Sequence, residues 1–162
     1  MTDFSGFDPR SLLTTTVKAK LDTKLPPIPL DETDEFLGLC SKVETRVITS
    51  KKDSSQYISL DTQWRIMDEA VAARMHIEQP TARYSFLLEV DPVKGLEVGP
   101  AKNVKLGRLL EACGIHSKEW SLSMLEGTTA WIKIKHRADD DDPEIIYNEV
   151  ARVTSSPKRR AA

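Results

Sequence analysis

The stretch 125–153, LEGTTAWIKIKHRADDDDPEIIYNEVARV, constrains the fold more than any other part of this chain. Residues 130–137 and 144–153 both alternate with a period of two, and the acidic, proline-ended segment 139–143 separates them. The pattern predicts a β-hairpin. In its first strand Ala130, Ile132 and Ile134 fall on one face while Trp131, Lys133, Lys135 and Arg137 fall on the other, because successive side chains along a strand point to opposite sides. An indole followed by three cations at every second residue suits a surface that stacks a base and follows a phosphate backbone. The competing reading is a solvated outer face that carries one Trp.

Period-two patterns recur upstream. Residues 36–48 place Leu37, Leu39, Val43 and Val47 on one side and Lys42, Glu44 and Arg46 on the other, which predicts a long half-buried strand before a polar turn at 50–55. A second strand, 57–67, sets Ile58, Leu60, Thr62, Trp64 and Ile66 against Tyr57, Ser59, Gln63 and Arg65, so Trp64 is expected in the core. A short acidic-led turn of helix at 68–75 precedes a third strand at 82–90, with Tyr84, Phe86, Leu88 and Val90 inward and Arg83, Ser85 and Glu89 outward. After a Gly- and Pro-marked loop, Asn103 is a candidate N-cap. Leu106, Leu109, Leu110 and Cys113 then follow helical spacing, and Gly114 is the stop.

Three strands, one helix and two strands predict a mainly β domain at 31–154: a five-stranded OB-fold-like Greek-key barrel with its helix between strands three and four. Residues 1–30 read as an extended arm, because the prolines of Leu25-Pro26-Pro27-Ile28-Pro29 fix their own φ and push their predecessors out of the helical region. Residues 155–162, with Lys158, Arg159 and Arg160, read as a basic disordered tail.

The charge balance limits the functional classes. With 23 Lys plus Arg against 25 Asp plus Glu, the whole molecule does not attract a polyanion, and any such binding requires local segregation of charge. Cys40 and Cys113 lack metal-ligand or redox-motif spacing and are expected to be reduced, buried thiols. No signal peptide or membrane-length apolar run is evident, so a soluble, cytoplasmic protein without membrane contact is expected. His76, His116 and His136 are isolated, no HExxH, Walker or GxSxG pattern occurs, and the acidic run 139–142 lacks EF-hand spacing. The expectation is a protein that is not an enzyme and takes no metal or cofactor.

The run NVKLGRLLEACGI, a Trp-containing loop, LEGTTAWIKIKHR with its acidic turn, and IYNEVARV resemble, in that order, the helix and final hairpin of phage and prophage single-stranded DNA-binding proteins of OB-fold type. KLPPIP before the first strand and SLDTQWRIMDE in the second are similar to the same group, so the resemblance covers 24–153. It implies a protein that coats single strands during phage DNA replication or recombination in a bacterial host, along a groove across the barrel. Carried over by position, Trp131, Lys133, Lys135 and Arg137 would line part of that groove. Many single-strand-binding proteins end in an acidic recruiting peptide, whereas this chain ends in a basic run.

Single-strand binding of this kind needs π-faces and cations. The candidates are Trp131, Trp120, Tyr57 and Tyr147 for stacking, and Arg46, Lys51, Lys52, Arg65, Lys133, Lys135, Arg137 and Arg152 for phosphates. Tyr147 and Arg152 are an odd number of residues apart and share a face only if a bulge intervenes. Partners expected are single-stranded DNA, with RNA or duplex open, a homodimer through an exposed edge, and replication or recombination proteins. The alternative is a protein-interaction module that uses the same barrel for assembly without nucleic acid.

Overall fold

Alternating side chains build seven strands among residues 2–157, the part of the chain that the computed structural model describes. These are β1 (Glu35–Thr49), β2 (Gln56–Ile66), β3 (Thr81–Leu88), β4 (Val90–Asp91), β5 (Gly95–Leu96), β6 (Thr129–Ala138) and β7 (Ile146–Thr154). Five of them close into a barrel in the order β1-β2-β3-β7-β6, while β4 and β5 form a separate ribbon. All barrel neighbours are antiparallel except β3 and β7, which run parallel and share one registered pair, Arg83 with Glu149. α1 (Glu69–Met75) joins β2 to β3, and α2 (Val104–Ala112) lies between the third and fourth barrel strands. The architecture is the expected OB-fold-like barrel. The basic residues Lys158, Arg159 and Arg160 lie outside the described residues.

Side chains from every barrel strand fill the interior. Leu60, Trp64, Ile132 and Ile134 are almost fully buried, and Leu106, Leu109 and Leu110 of α2 seal the core. Trp64 tolerates complete burial because its indole N–H donates to Thr62 Oγ1 at 2.9 Å, and the Thr62 hydroxyl donates to the Tyr84 carbonyl at 2.9 Å. Cys40 is buried and Cys113 half-buried, both as free thiols; burial pushes the Cys40 thiol up to about 12. Asn103 does precede α2, with φ at 49°, but its side chain caps nothing. It accepts from the Glu89 N–H and donates to the Glu89 and Glu97 carbonyls, tying the ribbon to the helix start.

Two β-bulges decide which side chains face outward. In β1 the register jumps between Cys40 and Lys42, leaving Ser41 without a registered partner in β2, although its hydroxyl donates to the Gln63 carbonyl at 3.2 Å. Phe36, Gly38 and Cys40 therefore point inward before the bulge, and Val43 points inward after it. This corrects the inward assignment of Leu37 and Leu39: Leu37 is exposed and Leu39 half-buried, because one period-two pattern cannot run through an extra residue. In β7 Lys133 pairs with Arg152 but Ile134 pairs with Val150, so Ala151 is the extra residue. Val150 and Val153 are both buried although three positions apart, and Tyr147 and Arg152 both turn outward.

The proline-rich part of the arm is a strap. Ile28 is fully buried, its N–H donates to Asn148 Oδ1 at 2.9 Å, and its carbonyl meets His136 Nε2 at 2.8 Å. Lys24 pairs with Asp142 and Glu144 of the β6–β7 turn. Farther out, Phe4, Phe7, Leu12, Leu13, Val17 and Leu21 are exposed.

Gly38 marks a close approach in the barrel wall. A Cβ there would stand 2.9 Å from Ile132 Cδ1 and 3.2 Å from Trp64 Cε3. Gly38→Ala is expected to destabilise the protein by about 1 to 3 kcal/mol through overpacking, read as a lower urea midpoint with an unchanged slope.

Candidate functional site

The outward side chains form rows that cross the strands. Lys42, Gln63, Arg83, Glu149 and Lys135 are successive neighbours from β1 through β2, β3 and β7 to β6. Adjacent rows carry Glu44, Asp61 and Ser85, then Arg46, Ser59 and Leu87, with Arg137 beside Tyr147. Where β3 and β7 share only their single registered pair, a groove of about 1040 Å³ opens over this surface. Its lining includes the cations Lys42, Arg46, Arg83, Lys105, Lys135 and Arg137 and the carboxylates Glu44, Asp61, Asp139 and Glu149. A chain of net charge −2 thus concentrates a local surplus of positive charge in one groove.

Two carboxylates organise these cations. Asp61 is only 8% exposed although it lies on the outer face of β2. Arg46 Nε donates to its Oδ2 at 2.6 Å, Arg83 Nη2 lies 3.1 Å from Oδ1, and the Ser59 hydroxyl donates to Oδ1 at 3.0 Å. Burial works to raise the Asp61 pKa, but hydrogen bonds from Ser85, Arg83, Ser59 and Arg46 outweigh it and hold the carboxyl at about 2. Glu149 is shared in the same way by Arg137 and by Lys135, the latter at 3.8 Å. Four cations therefore face two anions, and each cation is only partly neutralised.

Tyr147 is 41% exposed, donates its hydroxyl to Asp139 Oδ2 at 2.8 Å, and lies under the Arg137 guanidinium, 5.0 Å from the ring centroid. Asp139 Oδ1 also accepts the backbone N–H groups of Asp141 and Asp142, so the acidic run shapes its own turn. Among the described residues no group of three or more His, Cys, Asp or Glu is arranged to hold a metal ion. No helix among them is long and apolar enough to cross a membrane.

The structure brings part of the expected site together and separates the rest. Arg46, Lys135, Arg137 and Tyr147 line the groove. Tyr57, 44% exposed, faces outward two residues along β2 from Ser59, and Lys51 and Lys52 are exposed in the β1–β2 turn with no ion pair among the described residues. The row expected for Trp131, Lys133, Lys135 and Arg137 is split. All four face outward, but Trp131 is half-buried between Leu37 and Thr154, and Lys133 pairs with Asp34 at 3.5 Å. Both lie on the part of β6 that pairs with β1 as well as β7, outside the groove. Arg152 pairs with Glu35 at 3.2 Å on that same side, and Arg65 stands between Leu39 and Thr81, also outside the groove.

Trp120 is half-buried, packed against the core and outside the groove. Sequence reasoning missed Lys42, Arg83 and Lys105 as lining residues. The first two were legible as outward positions, but nothing in sequence shows that β1 and β3 present them to β7. Lys105 comes from α2 and lies over the rings of Tyr84 and Phe86, at 5.2 and 5.3 Å from their centroids. The chain matches no known family model, and no curated protein matches it significantly.

The depressed Asp61 pKa has a consequence for acid stability. A folded-state pKa below the ordinary 3.8 contributes stability that is complete above the unfolded value and disappears as pH falls from about 4 through about 2. Urea unfolding at pH 5 and pH 2 should therefore show an acid-induced loss about 2 kcal/mol larger in the wild-type chain than in Asp61→Asn.

Proposed function

We propose that this protein is a non-enzymatic single-stranded DNA-binding protein, sequence-tolerant, that protects single strands during phage DNA replication or recombination in the host bacterial cytoplasm. The observation that carries the reading is the cation surplus gathered in one groove of a net-negative chain. The groove crosses the second and third barrel strands, the face through which barrels of this architecture hold oligonucleotides. The four cations are about half exposed, so each keeps donors open to a phosphate beside the carboxylate that holds it. Arg46, Arg83, Lys135 and Arg137 serve as phosphate contacts, supplemented by Lys51 and Lys52 from the turn. Tyr147 and Tyr57 are the stacking faces at its border.

Since no Trp lines the groove, anisotropy of a labelled oligothymidine is the appropriate readout rather than indole fluorescence. If about four phosphates are neutralised, log K should fall with log salt at a slope near 3, from roughly 0.7 per contact on single strands. Affinity independent of salt contradicts the proposal. Tyr147→Ala should weaken binding by about 1 to 3 kcal/mol, while Trp131→Ala should leave it nearly unchanged. The opposite ranking would move the binding path to the β1–β6 side of the barrel.

One feature favours the assembly reading as a second function of the same chain. Met67, Leu37 and Trp131 are neighbours on the outer surface, the Met67 N–H donating to the Leu37 carbonyl at 2.9 Å and Leu37 registering with Trp131. Together with the exposed apolar side chains of the arm they offer surface suited to protein contact. Light scattering without DNA tests self-association through this face: a dimer that Leu37→Glu converts to monomer supports it, and a monomer at high concentration excludes it.

A further inference from the structure

Asp61 occupies a place that a nucleic-acid groove would ordinarily leave without a negative charge. An outward carboxylate among phosphate-binding cations opposes a polyanion, so its presence requires a physical reason. The reason lies in depth. The Asp61 side chain is 10% exposed, whereas those of Arg46 and Arg83 are 55% and 54% exposed. The anion forms the floor and the two cations form the rim, so a ligand arriving from solvent meets guanidinium groups first.

The hydrogen-bond geometry fixes both of them. Arg46 reaches across from β1 and engages Asp61 side-on through Nε, and its terminal amino groups hydrogen-bond no other described residue. Arg83 reaches from β3, placing Nη2 on the other carboxylate oxygen while its Nε donates to Ser85 Oγ at 2.9 Å. Ser59 donates to Oδ1, the same oxygen that Arg83 approaches, so both sides of the carboxylate are used. An arginine loses rotamer entropy when immobilised, and here the carboxylate and Ser85 hold both guanidiniums before any ligand arrives.

Resting on the single-strand reading of the groove, we infer that Asp61 is its positioning residue, clamping Arg46 and Arg83 from flanking strands into a preorganised fork for the phosphates of an unpaired strand. The fork explains why a buried charge sits on an outer strand face. It also separates two accounts of Asp61 by sign. If the carboxylate only dilutes positive charge, removing it tightens binding; if it positions the arginines, removing it weakens binding although the groove becomes more positive.

The experiment is a double-mutant cycle on the full chain, read by anisotropy of labelled oligothymidine below the melting temperature of every variant. Asp61→Asn keeps the shape but offers one oxygen where two arginines need an acceptor. It should weaken binding about tenfold, and its effect should fall below about twofold in an Arg46→Ala, Arg83→Ala background. Asp61→Glu keeps the charge but displaces both guanidiniums, and should also weaken binding; it decides the matter if Asp61→Asn does not fold. Equal or tighter binding by either folded variant overturns the inference. So does an undiminished loss in the arginine-free background, which would mean that Asp61 acts through stability. Failure of the wild-type chain to bind oligothymidine at low salt refutes the single-strand reading itself, a result distinct from both.

Discussion

A closed sheet gives each side chain two destinations, the packed interior or the outer surface, and every other property of this barrel depends on how that choice is phased. Two extra residues set the phase. Ser41 in β1 and Ala151 in β7 each absorb one step of the alternation, so that strands beginning with one face inward end with the other. Without the first, Phe36 and Val43 could not both be interior while Lys42 and Arg46 remain outside. Without the second, Tyr147 and Arg152 could not share the outer surface with Val150 and Val153 buried beneath them. The groove is thus a product of phasing as much as of composition.

Within the groove, electrostatics is organised by sharing. A chain that is slightly acidic overall gains a positive surface only by confining its cations, and confined cations repel one another. Asp61 and Glu149 each relieve that repulsion for two neighbours at once, leaving a net positive charge in each cluster. Asp61, the more buried of the two, lies beneath the half-exposed guanidiniums of Arg46 and Arg83. Arg137 adds a third device, lying over the Tyr147 ring while it pairs with Glu149, so one side chain couples the aromatic border to the charge row. These arrangements stabilise a polar surface that would otherwise cost side-chain entropy to order.

The hairpin that dominates the sequence forms as a backbone element, but only half of its outward row lines the groove. Ala130, Ile132 and Ile134 are buried and the cation row points outward, as alternation requires. Yet a strand ten residues long in a closed barrel touches two different neighbours along its length. Its first half lies between β1 and β7, and its second half pairs with β7 alone toward the acidic turn, so Trp131 and Arg137 face different surroundings despite one periodicity. Trp131 instead joins Leu37 and Met67, and His136 is absorbed into holding the Ile28 strap.

Local chemistry by itself determined the barrel: periodicity named its five strands, spacing named the helix through Leu106, Leu109 and Leu110, and the in-register apolar neighbours of Trp64 marked it as core. These are short-range facts, set by which face of a strand or helix must leave water. Which cations meet was decided only by tertiary structure, because Arg46, Asp61, Arg83 and Glu149 come from four strands and converge through cross-strand register. Bulge positions, the sparse pairing of β3 with β7, and the depth of Asp61 below two arginines are properties of closure, and an alternating pattern carries no record of them.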